Sequence, residues 1–342
     1  MRIEQSSGSS LSLLCLLSGH SRQAYYKQRS QAEKEPLQEE LIVQQVLKHR
    51  ELQPRIGGRK LYFLIKGFLV SRGIKMGTNA FFKLLGEYEL LNKRRRHKVR
   101  TTNSAHWMKK HPDLVKGMVA TTSDQVWVSD ITYMELQHKD AFLSLVTDAY
   151  SRKIVGFHLS DRLTAEGTVK ALKMAIGGRR ELPGLIHHSD RGSQYCCNDY
   201  VKELTGRKIS ISMTQSGDPR DNAIAERVNG ILKMELLEPV YKNLQTAREA
   251  VEKAVNIYNY LRPHSSISML APALVHGRDI PVKRRWKNYY RTAQDNREDI
   301  IINKNEPVLK RKKEAKKEKT HQDVDNATRS PHPDTTNKQS IT

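Results

Sequence analysis

At Gln125 the apolar residues change rhythm. QVWVSDITYMEL, KDAFLSLVTDAY and RKIVGFHLSD follow one another at hairpin spacing and are rich in β-branched and aromatic residues. Three such runs in succession commit this part of the chain to strands. Helical and strand patterns then alternate. TAEGTVKALKMAIGGRR reads as a helix stopped by Gly177-Gly178, GLIHHSD as a short buried-type strand, and SQYCCNDYVKELTG as a helix with a glycine stop. ISISMT is a further strand, and GDPRDNAIAERVNGILK is a turn leading into a helix. NLQTAREAVEKAVNIYNYLRPH gives a long amphipathic helix that ends before Pro263. Strands in a row followed by helix–strand alternation predict an α/β domain, a mixed sheet with helices on both faces.

Upstream the pattern is helical throughout. LSLLCLL forms one helix, Gly19-His20 a turn, and Ser21 caps the helix RQAYYKQRSQ, an arrangement similar to a helix-turn-helix. PLQEELIVQQVLKH is a separate amphipathic segment after Pro36, followed by RKLYFLIKGFLVSRG and by NAFFKLLGEYELL with Thr78 as its cap. KRRRHKVR then places Arg94, Arg95 and Arg96 in a basic run. Beyond residue 282 periodicity dissolves, and residues 306–342 carry too few apolar side chains to fold. The divisions are a helical DNA-binding region over 1–92, a basic linker over 93–121, a core over 122–281 and a basic tail over 282–342.

Charge narrows the function. Lys and Arg number 59 against 37 Asp and Glu, a formal +22, so a polyanionic partner is expected, DNA before a membrane surface. Residues 1–120 hold 23 basic and 9 acidic side chains, whereas residues 121–304 hold 27 and 22. The excess thus belongs to the first third, and the middle is balanced as a domain with working carboxylates would be. A basic structural DNA-binding protein explains the total but not this division. Three cysteines, Cys15, Cys196 and Cys197, provide neither a disulfide framework nor a zinc spacing, consistent with a reducing cytosol. LSLLCLLSG is too short to span a bilayer.

Three acids stand apart. Asp130 shares the strand parity of Val126 and Val128, an inward position where a charge is costly unless paired or bound to a cation. Asp190 closes the strand GLIHHSD, and strand ends are where sites gather in sheets with helical crossovers. With the first and fourth strands adjacent, the two face each other. On the last short helix, Asn222, Glu226, Asn229 and Lys233 form one stripe about 60° wide, set against Ile224, Val228, Ile231 and Leu232. Three converging carboxylates repel, and hard divalent cations remove that penalty. Taken singly, each acid has a structural reading: a strand hydrogen bond, a helix cap, a pair with Arg227 or Lys233. The stripe itself reads equally as a solvated face.

The joint pattern, Asp130, Asp190 and then Glu226 after 35 intervening residues, resembles the DD(35)E arrangement of the retroviral-integrase-like superfamily. WVSDITY, HHSDRGSQY, SMTQSGDPRDNAIAERVNGILK and YNYLRPHSSISMLAP closely resemble the catalytic core of insertion-sequence transposases, the downstream-frame (OrfB) product of copy-out, paste-in elements. The resemblance is strong over residues 125–275. It implies an RNase H-like integrase core with a mixed five-stranded sheet, and Mg²⁺-dependent DNA cleavage and strand transfer with two ions that Mn²⁺ replaces. Asp130, Asp190 and Glu226 match the metal-binding, catalytic triad, and Lys233 matches the DNA-contacting base. Asn222 either shapes the entry to the helix or meets substrate. Implied partners are the element's terminal repeats, target DNA, further copies of the chain and an upstream-frame product, in a bacterial cytoplasm at the nucleoid.

Overall fold

The computed structural model describes residues 11–93, 106–177, 181–215, 219–278 and 280. Arg94–Arg96 and the tail beyond residue 280 lie outside the described residues.

Four helices open the chain: α1 (Leu11–Leu17), α2 (Arg22–Leu52), α3 (Gly58–Ser71) and α4 (Thr78–Glu87). Ser21 caps α2 as its position predicts, its hydroxyl accepting from the Ala24 amide at 3.1 Å. The expected division at Pro36 is absent: α2 runs through it as one helix. Proline removes one backbone donor, but the flanking QAEKE and LQEE are strong helix formers that carry the turn across the gap. Ile42 and Val46 of α2 meet Leu61, Ile65, Phe81 and Leu85 in a closed apolar core. Gly58 leaves room beside this core for Phe82, since a Cβ there would lie 2.8 Å from the tip of its ring.

The second half builds the sheet. Strands β1 (Val126–Leu136), β2 (Asp140–Asp148) and β3 (Ile154–Ser160) form an antiparallel meander. Helix α5 (Ala165–Ile176) crosses to β4 (Ile186–Ser189), and α6 (Ser193–Cys196) with α7 (Asn198–Thr205) crosses to β5 (Ser210–Met213). The strand order is β3-β2-β1-β4-β5, with β4 and β5 parallel to β1. A sixth strand, β6 (Val240–Tyr241), pairs with the end of β1 beside Glu135 and Leu136. The single helix expected over SQYCCNDYVKELTG is two, because Cys197 takes an extended conformation between them.

Helix α8 (Ala223–Ile231) continues as a π-helical turn, Leu232–Leu236, and α9 (Leu244–Tyr260) and α10 (Pro272–Val275) follow. Two layers cover the sheet. On one face Leu143, Leu145 and Ile154 pack under Val228, Leu232, Val251 and Tyr258. On the other, Trp127 and Val146 pack under Leu172, Tyr200 and Leu204. Gly156 of β3 lets α5 approach: a Cβ there would sit 2.1 Å from the Ala171 carbonyl oxygen. The alternation of β1 therefore sends Trp127 into one core and Val126, Val128 and Asp130 toward α8. Among the described residues no helix is long and apolar enough to cross a membrane.

Candidate active site

β1 and β4 are hydrogen-bonded neighbours, with Val128 opposite His188. Two residues further along the chain from this pair come Asp130, within β1 and opposite Leu145 of β2, and Asp190, just past the end of β4. Helix α8 lies over this edge, and its polar stripe makes successive contacts with β1. The Asn222 side-chain amide donates to the Ser129 carbonyl at 2.9 Å, and Asn229 donates to the Asp130 carboxylate at 2.8 Å. Lys233 then donates to the Thr132 hydroxyl at 3.3 Å. The stripe is an interface rather than a solvated face, and Asn222 and Asn229 are buried. Glu226, the fourth member, stays exposed.

Asp130 carries the electrostatic record of this arrangement. Its carboxyl is pushed up to about 7, first by burial and then by the negative charge of Asp190, with Glu226 adding to the effect. The hydrogen bonds from Asn229 and the Ile131 backbone oppose the rise without cancelling it. Asp190 and Glu226 are therefore close enough to Asp130 for their charges to act on it through the protein.

Asp190 is held from its own loop: Oδ1 accepts from the Gly192 amide at 3.0 Å. Any Cβ at Gly192 would come within 3.1 Å of that oxygen. Arg191 ties the same loop to the end of β5, donating to the Thr214 carbonyl at 2.6 Å and to Gln215 at 2.9 Å. His188 shares the parity of Asp190 and joins three elements. Its Nε2–H donates to the Asp221 carbonyl at 3.1 Å, and Nδ1 accepts from the Ser212 hydroxyl at 2.9 Å. Burial lowers its pKa, so a neutral ring with that tautomer holds the entry of α8 against β5. His187 faces the other way, hydrogen-bonded to Ser129 and Tyr200 at 2.8 Å each, and burial depresses it to about 3.

A second acid–histidine group, Asp124, Asp148 and His276, brings its ligand atoms within 4.8 Å of one another. Its lone pairs are committed inside the protein. Asp148 accepts from the Asp124 amide at 2.8 Å, the Ser151 amide at 2.7 Å and the Ser151 hydroxyl at 2.6 Å. Asp124 accepts from the Trp127 indole at 2.9 Å. Burial alone would raise Asp148, but bonds from His276 and Ser151 outweigh it and hold the carboxyl low. This knot fastens the β2–β3 turn to the end of α10.

The YNYLRPH segment is also structural. Tyr258 donates to the Arg152 carbonyl at 3.0 Å, and the Asn259 amide pairs with both Ile154 backbone groups at 2.9 Å, as a neighbouring strand would. Arg262 is 1% exposed and grips Glu235 with two bonds of 2.8 and 2.9 Å. Sequence reading missed Glu235, Arg55 and Lys60, which carry no local motif.

A 3-2-1-4-5 mixed sheet with helices on both faces, with one acid inside β1, another just past the end of β4 and a third on α8, defines an integrase-type α/β core. Integrase core domain models match residues 120–219 and 207–272. The insertion element IS600 uncharacterized 31 kDa protein of Shigella sonnei is 35% identical over 267 residues, covering 76% of this chain and 96% of that protein. The transposase for insertion sequence element IS904 of Lactococcus lactis is 31% identical over 209 residues, 60% of this chain and 82% of the relative. The HTLV-2 integrase catalytic core domain in complex with magnesium aligns with 46% of this chain and 99% of its own, at 20% identity and a TM-score of 0.37. The chain belongs to the insertion-sequence transposases with an integrase-like core.

Proposed function

We propose that this chain cuts DNA at the ends of an insertion sequence and joins the freed ends to target DNA, with Asp130, Asp190 and Glu226 as its metal-holding triad. The observation that carries this reading is Asp130 itself: a buried carboxyl, held by Asn229 of α8 at 2.8 Å, that feels the negative charges of Asp190 and Glu226 and is pushed up to about 7. Such a donor set is short of positive charge, and oxygen-only ligands suit a hard divalent cation. Bound there, a pair of Mg²⁺ ions, or Mn²⁺ in their place, supplies Lewis acidity to the attack of water and then of a 3′-hydroxyl on phosphodiesters.

The chain's own groups do the positioning. Asn229 fixes one oxygen of Asp130. Lys233 sits beside Thr132 on the same stripe, where its charge favours an approaching phosphate. Asn222 locks the start of α8 to β1, so Glu226 is carried by a helix fastened to the strand it serves. Arg94, Arg95 and Arg96 add sequence-independent affinity from the basic linker over 93–121. The helical region over 1–92 selects the terminal repeats, the core over 122–281 performs the chemistry, and the tail over 282–342 adds basic charge. Two ends must be paired, so further copies of the chain and the upstream-frame product belong to the working assembly, in the bacterial cytoplasm at the nucleoid.

Strand joining from pre-cut ends tests this directly. Wild-type protein with Mg²⁺ joins such ends to a target plasmid, and Asp190→Asn loses joining by more than about a hundredfold, beyond the range of outer-shell changes. End binding in the variant stays intact. Undiminished joining by Asp190→Asn would remove the triad from the mechanism.

A further inference from the structure

We infer that Arg55 and Lys60 of the helical region are positioning residues for the catalytic helix, acting through Glu235 and its turn; the inference rests on the function proposed above.

Helix α8 does not simply stop after Lys233. It widens into the π turn Leu232–Leu236, whose end leaves carbonyl groups without the regular helical partner. Arg55, in the turn between α2 and α3, supplies those partners. Its Nε donates to the Met234 carbonyl at 3.0 Å, its Nη2 donates to the Leu237 carbonyl, and its backbone N–H donates to the Glu235 carbonyl at 3.2 Å. One residue thus caps the carbonyls of Met234, Glu235 and Leu237, and its positive charge lies at a helix C-terminus, where it is favourable.

The Glu235 side chain closes the joint. Arg262 holds both its oxygens, and Lys60 of α3 reaches Oε1 at 3.2 Å. Arg262 lies over the Tyr258 ring, its guanidinium carbon 5.8 Å from the centroid, so α9 is part of the same clamp. The Arg55 turn is itself braced: the Asn92 amide donates to the Arg55 carbonyl at 2.8 Å and to the Ile56 carbonyl at 3.1 Å. These contacts span about 180 residues of sequence and fix the axial register of the helix bearing Glu226, Asn229 and Lys233. A slip of one carbonyl at this end moves Asn229 off Asp130 and Lys233 off Thr132. The region expected to hold the element's end is thereby fastened to the helix that cuts it.

The test measures Mg²⁺-dependent cleavage of DNA carrying the element's ends by the full chain, supplied with the upstream-frame product. Arg55→Lys keeps the cation but cannot fork to two carbonyls. It is expected to melt with the wild type and bind the ends with the same Kd, while kcat falls about tenfold at unchanged KM. Lys60→Met, which loses the bond to Glu235, is expected to lower kcat at unchanged KM, and Lys60→Arg, which restores that bond, to recover the rate; a wild-type kcat in Lys60→Met would remove Lys60 from the inference. Glu238→Ala removes the 3.6 Å pair that Arg55 makes with an exposed carboxylate, leaves the carbonyl contacts of Arg55 in place and is also expected to retain the rate. A wild-type kcat in both Arg55→Lys and Arg55→Ala would overturn the inference. So would a loss of rate matched by an equal loss of folded protein, or an equal loss in Glu238→Ala. Glu226→Gln, run alongside, separates the two claims: full activity there sinks the proposed chemistry itself, whereas an inactive Glu226→Gln beside fully active Arg55→Lys and Arg55→Ala sinks only the positioning role.

Discussion

Asp130 occupies a strand position that alternation assigns to the interior, and its neighbours on that face are Val126 and Val128. The cost of this placement has a definite sign. An acid whose folded pKa lies above its ordinary 3.8 loses stability for the fold as pH rises from there toward about 7. Asp130→Asn is therefore expected to stabilise the metal-free protein by about 1–3 kcal/mol at pH 8. That gain shrinks as pH falls from about 7 and nears zero only below about pH 3, where the wild-type acid is protonated in both states. Urea denaturation in EDTA at the two pH values checks it. An unchanged or lower stability at pH 8 would show that the site is already compensated. Asn229 makes the complementary case. Asn229→Ala removes the amide on Asp130, and cleavage is expected to fall about 10–100-fold with DNA binding retained, as for outer-shell partners of metal ligands.

Among the elements, the π turn is joined to the segment after α9 by the buried Glu235–Arg262 pair. Glu235 would be raised by burial, but Arg262 and Lys60 outweigh that and hold its carboxyl below the ordinary 4.5. A depressed acid contributes stability above its ordinary value and loses it as pH falls through the depressed one. The clamp thus works at neutral pH and loosens under acid. Glu235→Ala, which strands the buried Arg262, is expected to destabilise the fold by about 3–5 kcal/mol at pH 7 and by less near pH 3. A pH series of thermal melts checks both numbers. Gly156→Ala is expected to cost about 1–3 kcal/mol, because the new methyl would meet the backbone of α5 rather than a movable side chain.

The same elements show what a sequence does and does not reveal. The meander, the crossovers and the parity of Asp130 were legible because alternation and glycine stops are local signals. The polar stripe on α8 was legible as a stripe. Its role was not, because only the register of α8 on β1 shows that Asn222, Asn229 and Lys233 meet Ser129, Asp130 and Thr132 in turn. Pro36 misled for a physical reason: a local rule about one missing donor was outweighed by strong helix formers on either side. Strand β6 is two residues long and has no pattern to read. The Arg55–Glu235 joint is invisible to any window, since its halves are far apart in the chain.

At the scale of the whole molecule, charge and chemistry are kept apart, with the basic excess in the first third and the acids in a balanced core. This division predicts separable effects. Replacing Arg94, Arg95 and Arg96 by alanine is expected to weaken binding to element and random DNA alike and to reduce the salt slope of log K by about 2–3. Glu226→Gln is expected to leave that slope alone. The account's central claim is that Glu226 acts with Asp130 and Asp190 at one metal-dependent site. It is tested most directly by 3′-end cleavage of DNA carrying the element's own ends, in Mg²⁺ or Mn²⁺, by the chain supplied with its upstream-frame product. Wild-type protein is predicted to cut only with metal, and Glu226→Gln to bind the same DNA without cutting. Equal cleavage by both proteins would contradict the account and return Glu226 to the exposed surface of α8.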